Sequence, residues 1–136
     1  MTKVLNLVGL DVGEKRIGVA ISSNNVRIAS PLETIEVDGN EIKSIEDLVK
    51  KEDISIIVIG YPRNQSGEAT KQTQYIKDFV KKLNYLSVSI VFQDESMTSV
   101  LAEERLKNHN KPYEKKDIDA MAATIILQDY IEANYG

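Results

Sequence analysis

The 136-residue chain has no cysteine and a single histidine, His109. Without Cys there is no disulfide, no thiolate nucleophile and no Cys-based zinc site. No apolar run is long enough to span a bilayer, and the N-terminus carries no basic segment leading into a signal-type apolar stretch. A cytoplasmic protein with no membrane partner is expected. Internal repeats, linkers and low-complexity segments are also absent, so one domain over 1–136 is expected. Nor is positive charge in excess: 17 Lys and Arg stand against 21 Asp and Glu, a net charge of −4. That argues against a protein that coats nucleic acid generically. It leaves room for a nucleic-acid enzyme whose clustered acids hold metal ions. Hydrophobic residues at 42% and charged ones at 28% are the balance of a globular domain with a real core.

What is present is organised around Val8 to Ala20. The apolar run Val4 to Leu10 ends abruptly in Asp11, turns near Gly13, and resumes from Ile17 to Ile21. Two such runs with a short link predict a hairpin of buried strands, with Gly13 able to supply a positive φ. A third strand is expected over Val26–Ala29 and Leu32–Val37, interrupted near Pro31, and Asp38-Gly39-Asn40 reads as a turn. Ile42, Ile45 and Val49 recur at helical spacing. Ile54 to Ile59 is a β-branched run suited to a strand covered on both faces, and it ends in a Gly60-Tyr61-Pro62 loop carrying Arg63. Ser66 is a candidate N-cap for a helix with Ala69, Gln72, Ile76, Phe79 and Leu83 on one face. Val88 to Phe92 forms the next strand, running out into Gln93-Asp94-Glu95. Thr98 or Ser99 caps a helix to about Leu106, and a polar stretch follows over 107–116. A last helix is expected from near Asp117 towards Tyr130, with Ile118, Met121, Ala122 and Ile125 on its inner side.

The order β-β-β-α-β-α-β-α predicts an α/β fold: a mixed five-stranded sheet with helices on its faces. Acids then fall at matching ends of the elements. Asp11 ends the first strand, Asp94 and Glu95 end the last, and Asp119 is expected in the first turn of the last helix. Ala120, Ala122 and Ala123 would let that helix lie close to the sheet. Converging carboxylates suit hard divalent cations such as Mg²⁺ or Mn²⁺. A shared-carboxylate site can hold two ions about 4 Å apart for phosphodiester hydrolysis. Each acid also has a plainer account. Asp11 can bond the backbone of its own turn, Asp94 and Glu95 can be solvated charges, and Asp119 can simply favour the helix dipole. His109 fits a solvated loop better than a catalytic base. Lys15, Arg16, Arg63, Lys111, Lys115 and Lys116 are candidates for phosphate contacts, the last three flanking Tyr113 in what can equally be a polar connector.

Together these residues also carry a family resemblance. Gly9-Leu10-Asp11-Val12-Gly13-Glu14-Lys15-Arg16-Ile17-Gly18-Val19-Ala20 resembles the opening motif of the YqgF/RuvX family of Holliday junction resolvases, also described as pre-16S rRNA nucleases. Gly60-Tyr61-Pro62 with Gly67 resembles its Gly-x-Pro loop. Asp94-Glu95 with Thr98 resembles its Asp-Glu-Arg-x-Thr segment, and Ile118 to Ala123 with Ile126-Leu127-Gln128 its closing helix. Ser96 stands where the family usually has Arg. The resemblance spans almost the whole chain. It implies an RNase H-like fold and a nuclease with Asp11, Glu95 and Asp119 as the catalytic acids, Asp94 adjacent as a metal ligand, and Mg²⁺ or Mn²⁺ as cofactor. Structured RNA (pre-16S rRNA) or branched DNA would be the partner, and the chain a monomer or weak homodimer. An actin-like ATPase and a non-catalytic nucleic-acid-binding module are the alternatives. The first would have to close two lobes over its nucleotide, and this chain has room for one.

Overall fold

A computed structural model describes residues 4–62, 71–95, 98–109 and 112–136, apart from the side chains at 95, 98 and 99. Within them the strands are β1 (Asn6–Val12), β2 (Arg16–Ser23), β3 (Ser30–Glu36), β4 (Ile54–Pro62) and β5 (Ser89–Glu95). The helices are α1 (Glu41–Lys51), α2 (Lys71–Leu83), α3 (Thr98–Asn108) and α4 (Lys115–Tyr135). The expected elements are present, and the two helices expected after the last strand, to about Leu106 and from near Asp117, are α3 and α4, which extends the order to β-β-β-α-β-α-β-α-α.

The sheet runs β3-β2-β1-β4-β5. β1 to β3 are antiparallel neighbours, whereas β4 and β5 pair parallel to β1 and to each other. The β-branched run of β4 is therefore a central strand. Its Ile57 and Ile59 point to one face and Val58 to the other, all fully buried. One face packs against α1 and α2 through Val8, Leu10, Ile17, Ile45, Ile76 and Phe79. The opposite face packs against α4 through Leu7, Ala20, Val58, Ala123 and Leu127.

Several local expectations change. Residues 26–29 are not strand: Arg27 adopts a left-handed φ of 62°, and the chain turns back through the Arg27 N–H to Ser23 carbonyl bond. Pro31 lies inside β3, an edge strand where a missing N–H is tolerated, and the expected interruption appears as a register shift between the Val19–Glu33 and Ala20–Pro31 pairs. Gly13 is not in the positive-φ region. Its small size matters instead, since a Cβ there would approach the Arg16 carbonyl oxygen to 2.8 Å. The turn at Asp38-Gly39-Asn40 is present, with Gly39 at φ +100°. On α2 the buried face uses Thr73 with Ile76, Phe79 and Leu83, while Gln72 is exposed; Ser66 and Ala69 lie outside the described residues.

The last helix differs most. It starts at Lys115, where the Asp117 carboxylate accepts the Glu114 N–H at 2.8 Å and so caps the first turn. Asp117 is the first-turn acid, and Asp119 lies two residues further in. The expected inner side, Ile118, Met121, Ala122 and Ile125, packs against α3, while Ala123, Ile126, Leu127 and Ile131 face the sheet. α4 is thus covered on two sides.

Candidate nucleic-acid-cleaving site

Strand alternation decides which side chains meet. On β1, Leu7 and Gly9 face α4 and Val8 and Leu10 face away, so Asp11 continues the α4 face at the strand's end. Asp11 pairs with Gly18 on β2. Gly18 is where α4 comes closest: a Cβ built there would run into the Asp119 carbonyl oxygen. Gly9 does the same further along, where a Cβ would meet Leu127 Cβ at 2.7 Å. The two glycines let the helix backbone rest on the strands, which lays the Asp119 turn of α4 over the Asp11–Gly18 pair.

Arg16 completes this group. It opens β2 in phase with Gly18 and Ala20, on the α4 face. Its Nε donates to Asp119 Oδ2 at 2.6 Å, with the two side chains 30% and 23% exposed. The guanidinium is held above its ordinary range, first by this hydrogen bond and then by the Asp119 charge. A cleft of about 530 Å³ opens beside the pair, lined by Gly13, Lys15, Arg16, Lys71, Tyr75 and Asp119 among others. It lies outside the carboxyl end of β1, the place where open α/β sheets bind ligands.

The remaining candidates are distributed as follows. Glu95 is the last residue of β5 and pairs with Pro62. Its backbone lies at the same carboxyl edge as Asp11. Asp94 is out of phase with it, paired with Tyr61 and exposed, on the side of Phe92. Among the described residues no three acids close on one point. Lys15 is exposed on the rim of the cleft. Lys115 and Lys116 belong to the first turn of α4 rather than to a loop, where the Thr34 hydroxyl donates to the Lys116 carbonyl at 2.6 Å. His109 is exposed just beyond α3. Arg63, Ser96 and Lys111 lie outside the described residues. Sequence reasoning missed Lys71 and Tyr75 as cleft residues. It also missed the direct Arg16–Asp119 pairing, which joins positions 103 residues apart.

A mixed sheet with helices on both faces and an acidic carboxyl edge is the RNase H-like class of nuclease folds. The fold resembles a Thermus thermophilus RuvC solved with a Holliday junction substrate: 12% identity, 97% of this chain and 96% of that one covered, TM-score 0.58. It equally resembles the fowlpox virus resolvase solved with Holliday junction DNA: 13% identity, 95% and 98% covered, TM-score 0.58. At that identity the likeness speaks for the fold. The family model RuvX, described as Holliday junction resolvase, matches residues 5–133, and the chain belongs to that family. A Sulfurihydrogenibium protein is 43% identical, covering 93% of this chain and 89% of its own length. A Chloroflexus aggregans protein is 45% identical, covering 93% of each. Both carry the provisional name pre-16S rRNA nuclease. Among the described residues, no helix is long and apolar enough to cross a membrane.

Proposed function

We propose that the chain acts as a single RNase H-like unit that hydrolyses phosphodiester bonds in structured RNA. The observation that carries this is the Arg16–Asp119 contact beside an open cleft, with Asp11 paired to Gly18 where the same turn of α4 rests on β2. The names of relatives more than 40% identical favour pre-16S rRNA as the substrate class. Branched DNA is the second reading, favoured by the family's description.

The donor set fits a hard divalent cation, because the acids at this edge offer only carboxylate oxygens and the cysteine-free chain offers no soft ligand. Asp11, Glu95 and Asp119 would hold Mg²⁺ or Mn²⁺; Asp94, on the Phe92 side of β5, would not join them. When bound, such an ion activates water and stabilises the leaving oxygen of the phosphodiester. The rest falls to the chain's own groups. Lys15, Arg16 and Lys71 present positive charge to the substrate's phosphates around the cleft, with Arg63, Lys111, Lys115 and Lys116 extending the basic contacts. Tyr75 offers a ring against which a base or sugar can pack.

The test is cleavage of a precursor rRNA fragment and of a four-way DNA junction by wild type and by Asp11→Asn, each with Mg²⁺ and with Mn²⁺. Wild type should cut with either ion, and the variant should lose several orders of magnitude of rate while remaining folded. Preference for the RNA supports the first substrate reading; preference for the junction selects the second. Wild-type-like cutting by Asp11→Asn removes this edge from the chemistry.

A further inference from the structure

The Arg16–Asp119 pair sits where a purely structural ion pair has little to do. α4 is already held against β2 by backbone packing at Gly18 and by the apolar contacts of Ala123 and Leu127. The pair is half-open to solvent, at the wall of the cleft, and joins a site acid to the strand that opens that cleft. Among the described residues the guanidinium's hydrogen bond is this one, made through Nε, and the four Nη hydrogens stand outside it. Among the described residues, this is an arginine resting on a carboxylate with most of its donors uncommitted.

We infer that Arg16 is a built-in counter-ion: its guanidinium neutralises Asp119 in the free protein and must leave that carboxylate before a divalent cation can use it. The inference rests on the nuclease reading of this edge and adds a coupling to it. A cation on Asp119 and a guanidinium on the same carboxylate are like charges sharing one acceptor, so each weakens the other. A phosphate in the cleft gives Arg16 a better partner, because the planar guanidinium matches two phosphate oxygens at once. Substrate phosphate would therefore draw the arginine off Asp119, and cation and nucleic acid would bind cooperatively, each raising the other's affinity by the same factor. Without nucleic acid the guanidinium stays on Asp119, and the cation binds about two- to fivefold more weakly than it would without that competitor. Arg16 in this account is a positioning residue for the cation as well as a phosphate contact.

The test measures Mn²⁺ binding to the full chain by calorimetry, without nucleic acid, for wild type, Arg16→Gln, Arg16→Met and Asp119→Asn. Removing the competitor should tighten Mn²⁺ binding about two- to fivefold in both Arg16 variants, the range set by a partly exposed ion pair. The same variants should raise KM for substrate cleavage at saturating Mn²⁺. Arg16→Met retains the apolar stem, so the two substitutions guard against a fault peculiar to either. Mn²⁺ affinity that is unchanged or weaker in both, with wild type still binding the ion, overturns the counter-ion role and leaves the nuclease reading standing. No Mn²⁺ binding and no cleavage by wild type overturns the nuclease reading itself, and the inference with it.

Discussion

Gly18 on β2 lies directly beneath the Asp119 carbonyl oxygen of α4, so close that the strand has no room for a side chain at that point. The neighbour that a methyl would meet is backbone, which cannot swing aside, so Gly18→Ala must lift or shift the helix. Overpacking of this kind costs about 1–3 kcal/mol. At roughly 4 °C per kcal/mol for a domain of this size, the melting temperature should fall by several degrees. Cleavage should fall further than stability accounts for, because the displaced turn carries Asp119 and hence its hydrogen bond with Arg16. Melting curves and cleavage rates at a temperature where the variant is fully folded check both parts. A variant as active and as stable as wild type would mean that the close approach is not required.

The basic residues at the start of α4 offer a separate test. Lys115 and Lys116 occupy the helix's first turn, where the dipole disfavours positive charge by roughly 0.3–1 kcal/mol. The exposed Lys116–Glu114 ion pair at 3.5 Å offsets little of that. Replacing both lysines by Ala should therefore leave the melting temperature unchanged or slightly raised. If the pair grips substrate, binding should weaken and its salt dependence become shallower, by about 0.9 in log–log slope for each duplex DNA phosphate that is no longer neutralised. Affinity titrations at several salt concentrations measure this. An unchanged slope with unchanged affinity marks the two lysines as solvated surface.

These elements also show what a sequence can disclose. Asp11 is legible because a carboxylate closes an otherwise apolar strand, and period-two alternation carries its direction with it. Asp94 and Glu95 are legible as strand-end acids, but sorting them needs the β4–β5 register, which pairs Asp94 with Tyr61 and Glu95 with Pro62. The start of α4 is obscured by charge: 107–116 reads as a polar connector, yet Asp117 caps Glu114 and the helix begins at Lys115. Its faces are obscured by burial on two sides. Ile118, Met121 and Ile125 serve α3, and no single apolar stripe marks the side that meets the sheet. The Arg16–Asp119 pair depends on tertiary structure alone.

Away from the site, Glu46 on α1 provides a pH-dependent check of the fold. It accepts from Lys43 Nζ at 3.0 Å and lies 3.9 Å from Lys50 Nζ. The Lys43 hydrogen bond, and then that of the Tyr85 hydroxyl, hold its carboxyl below the usual range, against the opposing effect of burial. The folded chain thus binds this proton less tightly than the unfolded chain. The associated stability is present above the ordinary Glu value, about 4.3, and is lost as pH falls through the lower folded value. Glu46→Gln should destabilise at neutral pH and become indistinguishable from wild type in strong acid. Denaturation series at both ends of the range decide it, and a loss independent of pH would point to packing instead of charge.

The last prediction asks whether the acids at the sheet edge form a metal site or a solvated fringe. An ion that binds only the folded form stabilises it by mass action, about 2.7 kcal/mol at a hundred times its dissociation constant. Wild type should therefore melt higher with Mn²⁺ than with EDTA, and the rise should shrink in Asp11→Asn and in Asp119→Asn. The metal-free curves add a second discrimination. If repulsion between bare carboxylates dominated, removing one charge would raise the metal-free melting temperature. Asp119 is already matched by Arg16 at 2.6 Å, however, so Asp119→Asn strips a guanidinium of its partner and should lower it instead. Restoring neutrality with a second change, Arg16→Gln in the Asp119→Asn background, should recover part of that loss, because the two positions touch and their effects need not add. A Mn²⁺-independent melting temperature in wild type, with Asp119→Asn matching it in EDTA, would show the edge to be a solvated fringe.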